Sequence, residues 1–290
     1  MGILGDVWDF ACDVVGGVAE FVGGAISTVA SAIGSAFSAA VSVCKTVAKT
    51  VIAAAAMNIL GPLVTIACGV LGPVLGPVVA ELIKRKIEEV LRNLLGGLED
   101  ERTDEMGYRI EEAENHDDWK KSDEFESFNE YYEYLKQQIP DEEIDQAKLS
   151  ERKYFYEAIA INTLAEEVGK KYDIAIEPDF LMEIGRSAMD TKEAEAIIAA
   201  YKNLGYNSVA FSDYLNGKLS PSEVDKVRAA LLASLKGVYP EKDDADFESR
   251  LAIMEICSTD DKYVAKNIYS KSLKAINKMN EAQVAAYLKE

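Results

Sequence analysis

The 290-residue chain has a single histidine, His116, and four cysteines so spread out that no CxxC pair forms. A Ser-His-Asp triad, a Cys-His nucleophile or a histidine-based metal site would each have to use that one imidazole. It lies in an acidic stretch with no nucleophile motif beside it, so none of these chemistries is expected. Cys12, Cys44, Cys68 and Cys257 read as buried free thiols of a protein made in a reducing cytoplasm. A phosphate loop is missing too. Around Gly217-Lys218, Ser212 stands where the first glycine belongs and Leu219 follows the lysine. Asp243, Asp244, Asp246 and Glu248 lack the glycine and the spacing of a calcium loop and read as a helix start. No enzymatic activity, cofactor or metal is expected. Strand signals are confined to the short stretch YDIAIEP, residues 172–178.

The N-terminus has no basic segment ahead of its apolar sequence, carrying Asp6 and Asp9 instead, so a conventional signal peptide is not expected. Met1-Gly2 is not followed by Ser or Thr at position 6, which leaves myristoylation unsupported. Any export would need a dedicated machine.

Charge is scarce at one end only. Met1 to Ala80 hold four acids and two bases; the remainder holds 46 of the 50 acids and 29 of the 31 bases, so about −17 of the net −19 lies there. So acidic a chain is no general nucleic-acid binder, because phosphate contacts need clustered Lys and Arg.

The first fifty residues keep a helical period. Asp6, Asp9, Asp13, Gly17, Glu20, Gly24, Ser27, Ser31, Ser35, Ser38, Ser42, Lys45 and Lys49 follow one another at steps of three or four. Trp8, Val15, Val22, Ile26, Ile33, Phe37 and Val47 belong to the opposite, apolar series. Both hold their phase throughout, which predicts helix. Phe21 to Cys44 carries no charge. At roughly 1.5 Å per residue it is long enough to cross a hydrocarbon core of about 30 Å. Its Gly, Ala and Ser content drives insertion weakly but lets helix backbones approach closely.

Thr50 to Ala80 is again uncharged, and Gly61-Pro62, Gly72-Pro73 and Gly76-Pro77 interrupt it. Proline suits the first turn of a helix, so each pair reads as a stop and a restart. Such breaks fit a water-poor setting where neighbouring protein satisfies the backbone. Lys45 and Lys49, then Lys84, Arg85 and Lys86, flank the uncharged runs as basic residues do at a membrane interface.

Downstream, Val79, Leu82, Ile83, Ile87, Val90, Leu91 and Leu94 form a helical face that Gly96-Gly97 should end. Leu98 to Lys121 is dense in charge and reads as an acidic linker. Helix starts are then expected at Ser122, Ser150, Asp190 with Glu193, Ser220-Pro221 with Glu223, Ser258 with Asp261, and Asn280 with Gln283. Gly169 and Gly205 are expected to close two of these helices.

The sequence therefore predicts an all-α protein in which long apolar N-terminal helices with Gly-Pro breaks precede an acidic bundle of short helices. Residues 1–97 form the apolar region, 98–121 the linker and 122–290 the acidic helical domain. The layout is broadly similar to that of helical membrane-inserting proteins, in architecture only. The expected function is that of a membrane-associated, homo-oligomeric, pore-forming or membrane-perturbing toxin or effector. Its partners are a lipid bilayer and a delivery or assembly protein. The alternative is a structural subunit of a virion, tail or secretion system, its apolar helices buried between copies.

Overall fold

The computed structural model describes residues 78–98 and 101–272. Helix makes up 75% of this part and no strand occurs among the described residues, so the all-α class is established.

Helix α1 covers residues 78–95. It is followed by α2 (Thr103–Ala113), α3 (Phe128–Gln138), α4 (Gln146–Glu151), α5 (Lys153–Tyr172), α6 (Pro178–Arg186), α7 (Thr191–Asn203), α8 (Phe211–Leu215), α9 (Pro221–Val238) and α10 (Asp244–Thr259). A short turn at Asp261–Tyr263 runs into a π-helical turn at Val264–Ile268. Two groups form, α2 packed on α5 and α7 packed on α9. Helix α1 joins them. Its Lys84 reaches α5 and Ile83 packs on Gly185 of α6. Asn93 bonds Thr191 of α7, and the carbonyl of Gly96 takes the side-chain amide of Asn129 on α3. Val79, Ile83, Ile87, Val90, Leu91, Leu94 and Leu98 are all buried in one core with the later helices. Residues 78–95, which the sequence assigns to the end of the apolar region, are thus a central strut of the domain.

Residues 98–121 also differ from the expected linker. Helix α2 lies within them and buries Met106, Gly107, Tyr108, Arg109 and Ile110. Gly107 marks the crossing. A Cβ there would stand 1.8 Å from the backbone oxygen of Tyr156, so the two helices meet backbone to backbone. The acids of α2 hid its apolar face from a reading by charge density. Among them Asp104 is buried and held by Arg102 at 2.7 Å.

Local start signals held where the cap is self-contained. Asp190 accepts the Glu193 amide at 2.9 Å while Glu193 reaches back to the Asp190 amide. Glu223 accepts the Ser220 amide at 3.0 Å, with Pro221 in the first turn. Asp243 begins α10 as a capping residue. Gly96, Gly97 and Gly205 take left-handed φ just after α1 and α7.

Others moved. Ser122 opens only a 3₁₀ turn, and Ser127 caps α3. Asp145 caps the short α4, accepting the amides of Ala147 and Lys148 at 3.0 Å, and the helix expected from Ser150 starts instead at Lys153, after Arg152. Helix α5 runs past Gly169 to Tyr172 and ends at Asp173, φ 54°. Gly169 instead gives room to the returning chain, whose Ile174 amide bonds its carbonyl at 3.0 Å. Helix α10 continues through Ser258, and Asp260 caps the turn after it. YDIAIEP supplies a lone parallel bridge, Ala175 to Ser208. Asn280 and Gln283 lie outside the described residues.

Candidate functional site

Glu81, Lys84, Glu88 and Arg92 follow one another on α1 at steps of three and four, so they form a polar stripe beside the apolar one. The stripe faces α5 and not water. Lys84 is 4% exposed and Glu88 6%. The Lys84 ammonium donates to Glu157 Oε2 at 2.7 Å and lies 2.9 Å from Glu81 Oε2. Lys153 comes within 3.6 Å of Glu157, and Arg85 Nε within 3.2 Å of Glu81. The Tyr154 ring lies under the ammonium, 5.6 Å to its centroid. Glu88 Oε1 and Arg92 Nε, both buried, have no hydrogen-bond partner. Arg92 spends its Nη1 on the carbonyl of Glu101.

Burial opposes charge on Lys84, yet Glu157, Glu81 and Glu88 outweigh it and hold the ammonium protonated, its pKa raised. Glu88 goes the other way. Burial, reinforced by Glu157 and Glu81 against the pull of Lys84 and Arg92, pushes its carboxyl up to about 7. Glu81 is half-buried; desolvation opposes its charge, but Lys84, Arg85 and Lys153 bring it below the ordinary carboxylate value. Burial also raises the Glu157 carboxyl, with Lys84 pulling against it. The cluster presents no nucleophile.

Two further polar sites are structural. Arg186 donates to the carbonyls of Cys257 and Ser258 at 2.9 Å each and meets Asp261 at 2.7 Å, closing the end of α10. Beneath it, burial pushes the Cys257 thiol up to about 11, a setting for an inert thiol. Between α7, α9 and α10 lies a cleft of about 310 Å³ lined by Glu193, Leu235, Tyr239, Phe247, Arg250 and Ile253, among others. Its charged pair is self-satisfied, Arg250 gripping both oxygens of Glu193 at 2.6 and 2.7 Å. His116 is stacked on Trp119, ring centroids 4.1 Å apart, and its Nδ1 lies 3.9 Å from Asp118 Oδ1.

Of the residues singled out by sequence, Lys84 lies inside the domain, while Arg85 and Lys86 pair with Glu81 and Glu89. Gly17, Gly24, Ser27, Ser31, Ser35, Ser38, Ser42, Lys45, Lys49, Gly61, Pro62, Gly72, Pro73, Gly76 and Pro77 lie outside the described residues. Among the described residues no helix is long and apolar enough to cross a membrane, and no group of three or more His, Cys, Asp or Glu is arranged to hold a metal ion. The sequence reading missed Glu88 and Glu157. The spacing of Glu81, Lys84, Glu88 and Arg92 was a signal for the first; nothing local announces a partner on α5. Comparison with protein-family models, curated proteins and solved structures found no match.

Proposed function

We propose that this is a membrane-active, oligomeric protein, pore-forming or membrane-perturbing, of the toxin or effector kind. In this reading the apolar sequence before residue 78 associates with lipid, and the acidic all-α domain stays in water and governs assembly or delivery. The observation that carries it is the contrast between the two uncharged runs, Phe21 to Cys44 and Thr50 to Ala80, and a domain that closes its own core. Among the described residues only Leu204 and Ile256 are large apolar side chains left exposed. So little apolar surface offers those runs no broad face of the same domain, which favours bilayer or sister chains as their cover. With Lys84 enclosed by carboxylates, the lipid-interface role is left to Lys45 and Lys49 and to the part-exposed Arg85 and Lys86.

Dye release from liposomes tests this. The full chain should leak them, and a fragment beginning at Val78 should not. The fragment keeps α1 because a cut beyond that helix would strip it from the core. Ser31, Ser35 and Ser38 changed to Leu should alter conductance or assembly. No leakage and no flotation with lipid under any condition ends the reading. Discrete particles formed without detergent would instead favour the structural-subunit alternative.

A further inference from the structure

Glu88 is where the α1–α5 cluster fails to close. Three carboxylates, Glu81, Glu88 and Glu157, surround the single buried ammonium of Lys84. Two of them, Glu157 at 2.7 Å and Glu81 at 2.9 Å, already occupy it. Facing Glu88 are Glu81, Lys84 and Arg92 from its own helix and Glu157 from α5. Lys153 and Arg85 serve the outer oxygens of Glu157 and Glu81, and Arg102, which also acts on Glu157, is committed to Asp104. Arg92, one turn along, is turned to the Glu101 carbonyl. An ionised Glu88 is therefore a buried third anion around one ammonium, with one oxygen unsatisfied, whereas a protonated Glu88 is neutral.

We propose that Glu88 is a proton-operated latch: with its proton on, the 78–95 helix is held firmly on α5, and loss of that proton loosens it. The direction follows from linkage. A carboxyl at about 7 in the fold against 4.5 ordinarily keeps its proton over a range where the unfolded chain has lost it. The stabilisation is full below about pH 4.5, falls up to tenfold in the equilibrium constant per unit as pH rises, and is spent above about 7. The latch is firm on the acid side and weak in neutral to alkaline surroundings, the reverse of an acid-released device. Helix α1 continues directly from the apolar sequence, so loosening it frees the stretch that joins that sequence to the domain. This use of the latch rests on the function proposed above; the latch itself is a property of the folded domain.

The test is hydrogen exchange of peptides from 78–95 in the full chain, wild type against Glu88→Gln, at pH 6 and 8 after correction for the intrinsic exchange rate. The wild type should lose about tenfold in protection between the two, as the shift of Glu88 requires. Glu88→Gln, a permanent mimic of the protonated side chain, should stay level and be the better protected at pH 8. Parallel profiles, or a less protected variant at pH 8, overturn the proposal. Carbon-13 NMR of the Glu88 carboxyl gives a reading that needs no variant, and titration near 4.5 also overturns it. Liposome leakage is read separately. Loss of leakage with an intact pH response removes the membrane role and leaves the latch standing.

Discussion

Gly107→Ala should weaken the domain at the crossing of α2 and α5. The added Cβ would lie 1.8 Å from the Tyr156 carbonyl oxygen, where real Cβ contacts stay beyond 3.0 Å, so backbone must move by about 1.2 Å. No rotamer relieves it, because the obstacle is main chain. Two residues on, the buried guanidinium of Arg109 holds the Ile139 carbonyl at 2.9 Å and the Tyr132 hydroxyl at 3.2 Å, and a shifted α2 strains both. Overpacking costs about 1–3 kcal/mol, and this site belongs at the upper end. Alanine's better helix propensity returns about 1 kcal/mol. The net loss is about 2 kcal/mol, a fall in Tm of roughly 4–8 °C for a domain of this size. Gly237→Ala is the matched control. It lies in α9 with nothing within 4 Å of the new Cβ, and should gain up to about 1 kcal/mol. Scanning calorimetry reads both. A Gly107→Ala protein melting at or above the wild-type temperature would refute the backbone crossing.

Lys84→Met leaves the buried Glu157 and the half-buried Glu81 without their ammonium and should cost about 3–5 kcal/mol by denaturant unfolding, with Lys84→Met/Glu157→Met recovering much of it. Tyr239→Phe removes the hydroxyl that bonds both oxygens of Asp190 and should cost about 1 kcal/mol at neutral pH. Burial works against the Asp190 charge, but that hydroxyl and the amides of Glu193 and Lys192 hold its carboxyl below the ordinary 3.8. A depressed carboxyl stabilises above its unfolded value and loses that contribution as pH falls through its folded one. The Tyr239→Phe deficit should therefore shrink below pH 3.8, and an unchanged deficit in acid would count against the assigned bond.

What could be read from the sequence was what is decided within a few residues. Asp190 and Glu193 cap one another, as do Ser220 and Glu223, and no distant contact is needed to see it. Ser122 and Ser127 offer the same local chemistry; the choice falls to Ser127 because Phe125 lies outside the helix and packs back on Tyr131 and Tyr134. Helix α2 was hidden by its charges and by a glycine that resembles a breaker, although that glycine is what lets α5 approach. The candidate site was the least legible part. Lys84, Arg85 and Lys86 look like a solvated basic triplet until Glu157 arrives from far along the chain, and burial then makes one of the three an internal charge.

The position of α1 also sets an order of events during synthesis. Lys84 and its partner Glu157 are separated by 73 residues, which at about 5–20 residues per second take the ribosome roughly 4–15 s to add. The uncharged sequence ahead of α1 is complete throughout that interval, before the helix that follows it has α5 to dock on. In the function proposed above, the cover of that sequence must therefore engage while the chain is still nascent.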